Sequence, residues 1–393
     1  MSGRRTRGRT RLVVSLAIFG LGVFGVLGSL TLLILAETLR GRLAGATGLT
    51  FAAMAAWGGA SALFRLPWSP AITAIPGILA LAGSIWLSVA ARAVAPVSPV
   101  GFFSIGDDRR GSRLVTPVDW LPERDQIKLG VTAVGLLGPM IGRDEAARIR
   151  SITLGLAREG DRDAGLRAAG SSVGGGLAGL VGFGGPDHMY AYIPETRPGE
   201  RLGLLVFLHG DLGNFKLTTW AWKPFADRER LAIVAPSYGF GFWGPGGVPR
   251  IRWAIDQALG RFPVDPGKVY LGGISDGGNG VAWGGLVLAD RLAGLIFVSP
   301  QMPMEVVDTD EFGAAWRGRP VFVVTGGADW SVRQSTVDPA AAALRRRGVE
   351  VDYKVIPEET HFLFFGRRDE VVEAVRGWMR RSADRPPALG ADR

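Results

Sequence analysis

The sequence predicts an α/β fold, a mostly parallel sheet with helices on both faces, preceded by three transmembrane helices. Three observations lead there. Before residue 95 lie three charge-free apolar runs, Leu12–Leu35 (24 residues), Leu43–Leu63 (21) and Ala71–Ala91 (21), each long enough to cross a bilayer as helix. From about His188 onward, short runs of β-branched, aromatic and aliphatic residues alternate with helix-like stretches, the pattern of strands buried on both faces. One of those runs, Val269–Leu271, meets Gly273-Ile274-Ser275-Asp276-Gly277. A serine so placed stands on a sharp turn, flanked at −2 and +2 by the smallest side chain.

In chain order, the first element is a basic tail. Arg4, Arg5, Arg7, Arg9 and Arg11 supply five of the positive charges behind a net charge of +9. Without them the balance is modest, so the basicity carries no argument for nucleic acid. A short Arg-rich tail before an apolar run is a topology signal that holds the N-terminus in the cytoplasm. The first run exceeds the apolar stretch of about 7–15 residues in a cleaved signal peptide, and two more runs follow. The second run is mostly Ala and Gly, and the third tolerates Pro76 as a membrane helix can. Arg65, Pro67 and Trp68 fall between the second and third runs, as interfacial residues should. Residues 1–95 are therefore expected to be a tail and three spans of a multi-pass protein of the plasma (inner) membrane. Three crossings place the rest on the extracytoplasmic side. Arg40 and Arg42 in the first loop oppose this; if the second run does not span, the remainder faces the cytoplasm.

Residues 96–187 read as a connector with short helices. Pro96, Pro99 and Asp107–Arg110 look like a linker, and Ile127–Ile141 is apolar but too short to span. Asp144–Glu159 has helical spacing at Ala147, Ile149, Ile152, Leu154 and Leu156. Val173–Gly185 reads equally as a flap, an interfacial segment or a plain connector.

Residues 188–382 form the α/β region. Strands are expected at Met189–Ile193, Leu204–Leu208, Leu231–Ala235, Val269–Leu271, Leu295–Val298, Val321–Val324 and Val351–Ile356. Helices are expected at Arg250–Leu259, Gly277–Leu288, Pro339–Arg347 and Arg368–Arg380. Residues 383–393 form a disordered tail.

The chain has no cysteine and three histidines. That excludes disulfides, thiolate chemistry and Cys-based metal sites and leaves little room for a His-rich one; hydrolysis by a serine needs no metal or organic cofactor, so none is expected. A nucleophilic serine needs a base, and the base needs an orienting acid. Ser275 is followed by Asp329, just past the strand at Val321–Val324, and by His361, just past the strand at Val351–Ile356. Open parallel sheets place their sites at such C-terminal strand ends. Asp338 is the alternative acid, but it precedes Pro339 and reads as a helix start. Backbone donors for an oxyanion are expected at Asp211, or Leu212, after the strand ending in His209-Gly210, and at Asp276. His209 reads as a structural part of that turn, and Glu358 and Glu359 as solvated loop charges. Gly-x-Gly-x-x-Gly occurs by letter at Gly20–Gly25, Gly174–Gly179 and Gly239–Gly244, but none enters a helix from a strand, so no dinucleotide site is expected. Tyr238, Phe242 and Trp243 instead form an aromatic loop, a candidate substrate wall.

At the His209-Gly210 loop and the elbow around Ser275, the region 188–380 resembles the α/β-hydrolase superfamily. It is most similar to the single-domain carboxylesterase, phospholipase and polyhydroxyalkanoate depolymerase-like branch. The resemblance covers about half the chain. It implies a triad of Ser275, Asp329 and His361 and hydrolysis of carboxylic esters through an acyl-enzyme. The expected partners are the lipid bilayer and a small-molecule, lipid or polymer ester. A serine peptidase of the prolyl oligopeptidase type and a non-catalytic membrane binding or sensor protein on the same fold are the alternatives.

Overall fold

A computed structural model of the chain describes residues 2–66, 70–92, 100–106, 117–136, 141–171, 187–211, 213–239 and 241–383. The chain divides into two compact units, residues 1–92 with 115–136, and residues 93–114 with 137–393. Val173–Gly185, the linker residues Pro96, Pro99 and Asp107–Arg110, Pro67, Trp68 and the tail from residue 384 lie outside the described residues.

The first unit contains α1 (Ser2–Leu35), α2 (Leu39–Phe64) and α3 (Pro70–Ala90), with Pro76 inside α3. Thr10–Leu35, Leu39–Phe64 and Thr73–Ala90 are each long and apolar enough to cross a membrane. The antiparallel packing of α1 on α2 explains why the second run is so rich in small residues. A Cβ on Gly25 would lie 2.9 Å from the Ala52 Cβ, on Gly45 2.9 Å from the Leu33 nitrogen, and on Gly59 2.6 Å from the Phe19 nitrogen. Small residues let the two backbones approach, which is how membrane helices associate without a hydrophobic drive.

A 3₁₀ turn at Pro117–Trp120 and α4 (Glu123–Leu136) close one end of this unit. The Arg40 guanidinium donates to the carbonyls of Ala90, Asp119 and Trp120, each at 2.8 Å. Asp125 accepts from the Glu37 nitrogen at 2.7 Å and from the Thr38 hydroxyl. Arg124 and Lys128 pair with Glu37. Arg40, which counted against an outside first loop, is thus absorbed by backbone acceptors rather than left as a free cation.

The second unit is built on an eight-stranded sheet in the order β1-β2-β4-β3-β5-β6-β7-β8. The strands are β1 (Gly101–Gly106), β2 (His188–Ile193), β3 (Leu202–Leu208), β4 (Leu231–Pro236), β5 (Val264–Ile274), β6 (Gly294–Val298), β7 (Pro320–Gly326) and β8 (Glu350–Ile356). β2 runs antiparallel to β1 and β4, and all other pairings are parallel. This is the α/β-hydrolase fold the sequence predicts. β1 is the strand not foreseen, a short edge strand that pairs only with β2.

Helices α5 (Arg143–Gly160), α6 (Val248–Arg261), α7 (Gly277–Val287), α8 (Gln334–Arg346) and α9 (Arg368–Ala383) belong to this unit. β3, β4 and β6 are buried along their whole length, which is why their sequences are apolar without alternation. On one face Leu204, Val206 and Leu271 share a cluster with Ile251 and Ile255 of α6 and Val281 of α7. On the other, Phe207 meets Trp222 and Phe364 at ring distances of 5.1 and 5.9 Å. α8 begins at Gln334, before the expected Pro339, so Asp338 lies inside a helix, where its carboxylate accepts from the Tyr353 hydroxyl at 2.6 Å.

Candidate active site

β5 ends at Ile274 and α7 begins at Gly277, so Ser275 and Asp276 make the turn alone. Ser275 has φ 56°, a left-handed conformation that costs a non-glycine residue of order 1–3 kcal/mol. The surroundings hold it there. Its nitrogen donates to the Val298 carbonyl at 3.1 Å, and its carbonyl accepts from Gln301 and Gly278, both at 2.9 Å. The flanking glycines are steric requirements. A Cβ on Gly273 would lie 2.5 Å from the Gly277 carbonyl oxygen, and one on Gly277 would lie 2.5 Å from that of Leu208.

His361 follows β8, and Asp329 follows β7. The His361 Nε2 lies 2.9 Å from the Ser275 Oγ, and its Nδ1 lies 2.9 Å from the Asp329 Oδ2. The buried Asp329 carboxylate also accepts from the Ser331 and Val332 nitrogens through Oδ1, at 2.9 and 2.8 Å. These two bonds define which oxygen faces the imidazole. The three residues form one hydrogen-bonded line from serine hydroxyl to buried carboxylate. With Nδ1–H donating to Asp329, Nε2 is free to accept the serine proton.

The His209-Gly210 turn passes directly over the elbow. A Cβ on Gly210 would lie 3.0 Å from the Ser275 Cβ and 3.6 Å from its Oγ, so the backbone just before Asp211 runs against the serine. Leu212 lies outside the described residues. His209 is buried, accepts from the Tyr238 nitrogen at 3.1 Å through Nε2 and contacts the Gly210 carbonyl at 2.7 Å through Nδ1. Burial pushes its pKa down to about 4, so it is a neutral structural bracket. The Asp211 carboxyl is pushed upward, first by burial against the elbow and then by Asp276, while His361 pulls the other way.

Asp276 does more through its side chain than the sequence suggests. Its buried carboxylate accepts from the Trp243 nitrogen at 2.8 Å and from Asn279 at 2.9 Å. It thereby staples the aromatic loop to the elbow. Of the expected wall residues, Phe242 is 72% exposed with φ 60°, and Tyr238 is partly buried. Trp243 is corrected: it is 2% exposed, and its indole donates to the His209 carbonyl at 2.9 Å, so it supports the wall from behind. Trp330, not among the residues expected from sequence, is 41% exposed, 6.1 Å from the His361 ring and 6.5 Å from Phe362. Its position directly after Asp329 was the available signal.

Glu359 is a second correction. It is not a solvated loop charge but 7% exposed, and both its oxygens are held by Arg148. Among the described residues, no group of three or more His, Asp or Glu side chains is placed to hold a metal ion.

No protein-family model matches the chain. A segment is 32% identical over 104 residues to a bifunctional acetylxylan esterase/xylanase of Neocallimastix patriciarum, covering 25% of this chain and 15% of that relative. Among solved structures, the chain is similar to Est1E from Butyrivibrio proteoclasticus, with 20% identity and a TM-score of 0.42 over 51% of this chain and 96% of that one. It is also similar to an acylaminoacyl peptidase, with 14% identity and a TM-score of 0.42 over 52% of this chain and 41% of that one.

Proposed function

We propose that this chain is a membrane-anchored serine hydrolase that cleaves carboxylic esters through Ser275, His361 and Asp329. The observation that carries the reading is the line of two 2.9 Å contacts that joins them, on a serine with φ 56°. The 104-residue likeness to an acetylxylan esterase/xylanase supports an ester substrate. The Ser275 Oγ attacks the ester carbonyl carbon as His361 Nε2 takes its proton. Asp329 stabilises the imidazolium. The oxyanion is met by the N–H groups of Asp211 and Asp276, each contributing about 3–4 kcal/mol to barrier lowering. The C–O bond to the alcohol then breaks, and the imidazolium protonates the departing oxygen. Water, deprotonated by the same nitrogen, cleaves the acyl-enzyme and regenerates the serine. No step calls for a metal or organic cofactor.

Phe242 and Trp330 are the exposed aromatics that would contact the acyl or alcohol group, and the Tyr238 ring packs on Trp243 at 4.9 Å. The five arginines of the tail would hold the N-terminus in the cytoplasm, and an odd number of spans would put the hydrolase unit on the extracytoplasmic side.

The test compares detergent-solubilised protein with Ser275→Ala on p-nitrophenyl esters of increasing acyl length. Turnover by the wild type and loss of at least about a thousandfold in the variant are expected. A wild type that neither turns over esters nor is labelled at Ser275 by an organophosphonate refutes the reading. Parallel peptide amides separate an esterase from a peptidase.

A further inference from the structure

We propose that α5 is a positioning element for catalysis: Glu145 and Arg148, adjacent on one helical face, hold the two residues that precede His361 and so fix the imidazole between Ser275 and Asp329. The proposal rests on the reading of those three residues as a triad.

Apolar spacing alone assigns this helix no role at the site. Its first two turns, however, make a linked set of polar contacts. The Arg148 guanidinium reaches both oxygens of Glu359, at 3.2 and 2.9 Å. The same guanidinium holds Glu145 at 2.8 and 3.2 Å. Glu145 in turn accepts from the Thr360 hydroxyl at 2.5 Å. Glu359 and Thr360 are therefore both tied, side chain by side chain, to residues three apart on a helix, which share a face.

The backbone of the same dipeptide joins the two loops of the triad. The Glu359 carbonyl accepts from the Ala328 nitrogen at 2.9 Å, next to Asp329, and its nitrogen donates to the Ile356 carbonyl at 3.2 Å. A displacement of Glu359 would thus move the histidine and the acid relative to each other. Farther along α5 the contact opens: Ile152, Leu156 and Glu159 face Phe365–Glu370 across a cavity of about 610 Å³. The hold on the loop is concentrated at Glu145 and Arg148.

Electrostatics agree with the geometry. Burial works against the Glu145 charge, yet hydrogen bonds from Arg148 and Thr360 keep its carboxyl below the ordinary range. Hydrogen bonds to Glu145 and then Glu359 raise Arg148 further above its already high value. A bidentate guanidinium–carboxylate pair fixes orientation as well as distance, and a lysine cannot reproduce it.

The experiment uses the full chain in detergent with a short p-nitrophenyl ester. Arg148→Ala is expected to lower kcat by about 10- to 100-fold, the scale of a misplacement of about 1 Å in a catalytic group, with KM within about twofold of wild type. Arg148→Lys is expected to recover only part of the loss. Glu159→Gln, on the same helix but facing the cavity, is expected to behave as wild type. Hydrogen exchange at residues 357–363 is expected to quicken in Arg148→Ala. A folded Arg148→Ala with wild-type kcat overturns the proposal, and so does a variant whose KM rises while kcat holds. Should Arg148→Ala fail to fold, Thr360→Val removes the link to Glu145 together with a long 3.5 Å contact from the Phe362 nitrogen; about a fivefold loss of kcat supports the proposal and an unchanged kcat overturns it. A wild type that is neither active nor labelled at Ser275 is a different failure, that of the triad reading, and the proposal falls with it.

Discussion

Replacing Asp329 with asparagine tests the site most sharply, because the structure dictates how the amide must sit. Oδ1 receives the Ser331 and Val332 nitrogens at 2.9 and 2.8 Å, and Oδ2 faces the His361 Nδ1 at 2.9 Å. The side chain is fully buried. An amide NH₂ turned toward the two backbone donors would leave both unpaired, at about 1–3 kcal/mol each. The amide oxygen therefore keeps the Oδ1 position, and the NH₂ points at His361. Nδ1 must then accept, so the imidazole proton moves to Nε2. That nitrogen, 2.9 Å from the Ser275 Oγ, becomes a donor and cannot take the serine proton. The wrong tautomer costs about 10⁴-fold in kcat, about 5 kcal/mol of barrier. The assay is kcat on p-nitrophenyl acetate near neutral pH, with thermal unfolding alongside. Melting should be nearly unchanged, because both turn bonds survive. An Asp329→Asn variant within about tenfold of wild-type kcat would mean that another group orients His361, and the reasoning would fail.

Three further outcomes are expected. Gly277→Ala puts a Cβ 2.5 Å from the Leu208 oxygen and 2.9 Å from the His209 oxygen; both obstacles are backbone, so denaturant titration should show a loss of about 1–3 kcal/mol. His209 falls from 6.5 to about 4 on folding because of burial. A depressed pKa means that the unfolded chain binds the proton first. Its contribution of about 3 kcal/mol is therefore present above pH 6.5 and lost as pH falls toward 4. His209→Gln should flatten the decline of Tm with pH in that window, and an equally steep decline would refute the assignment. The chain contains no cysteine, so single-cysteine labelling is clean. A membrane-impermeant maleimide should reach Glu311→Cys, an exposed position, in intact cells and Ser2→Cys only after permeabilisation; the reverse pattern would overturn the proposed orientation.

Much of the sheet was legible because its signal is local. β3, β4 and β6 are buried on both faces, and a strand so placed must be apolar at every position. The elbow was legible in part for the same reason: the clash that requires Gly273 arises within the turn itself, against the Gly277 carbonyl, whereas Gly277 is required by the Leu208 carbonyl of β3, which only the fold brings there. β1 was not, because a six-residue edge strand after a Pro-interrupted run has no distinctive period and is defined by its partner.

The side chains around the elbow follow the same division. Ser275, Asp329 and His361 could be named from their order and from their places past strand ends. Whether His361 reached both others depended on the parallel registers of β5 through β8. Trp243 was read as a wall residue because aromatic identity does not say which side of a loop a ring faces; the Asp276 carboxylate decides that by accepting the Trp243 nitrogen. Glu359 was read as solvated because a glutamate in a polar loop usually is.

The sequence by itself determined the membrane-length helices, the class of the sheet, and the chemical identity and order of the residues at its C-terminal edge. These follow from hydrophobic period, the length of the apolar runs and residue order, all of which are carried by the chain locally. Only the tertiary structure decided which charges are buried, which aromatic faces solvent and what holds His361 in place. Arg148 and Glu359 stand 211 residues apart in the chain. Nothing local to either specifies the other, and their pairing exists only once the fold has brought α5 to the end of β8.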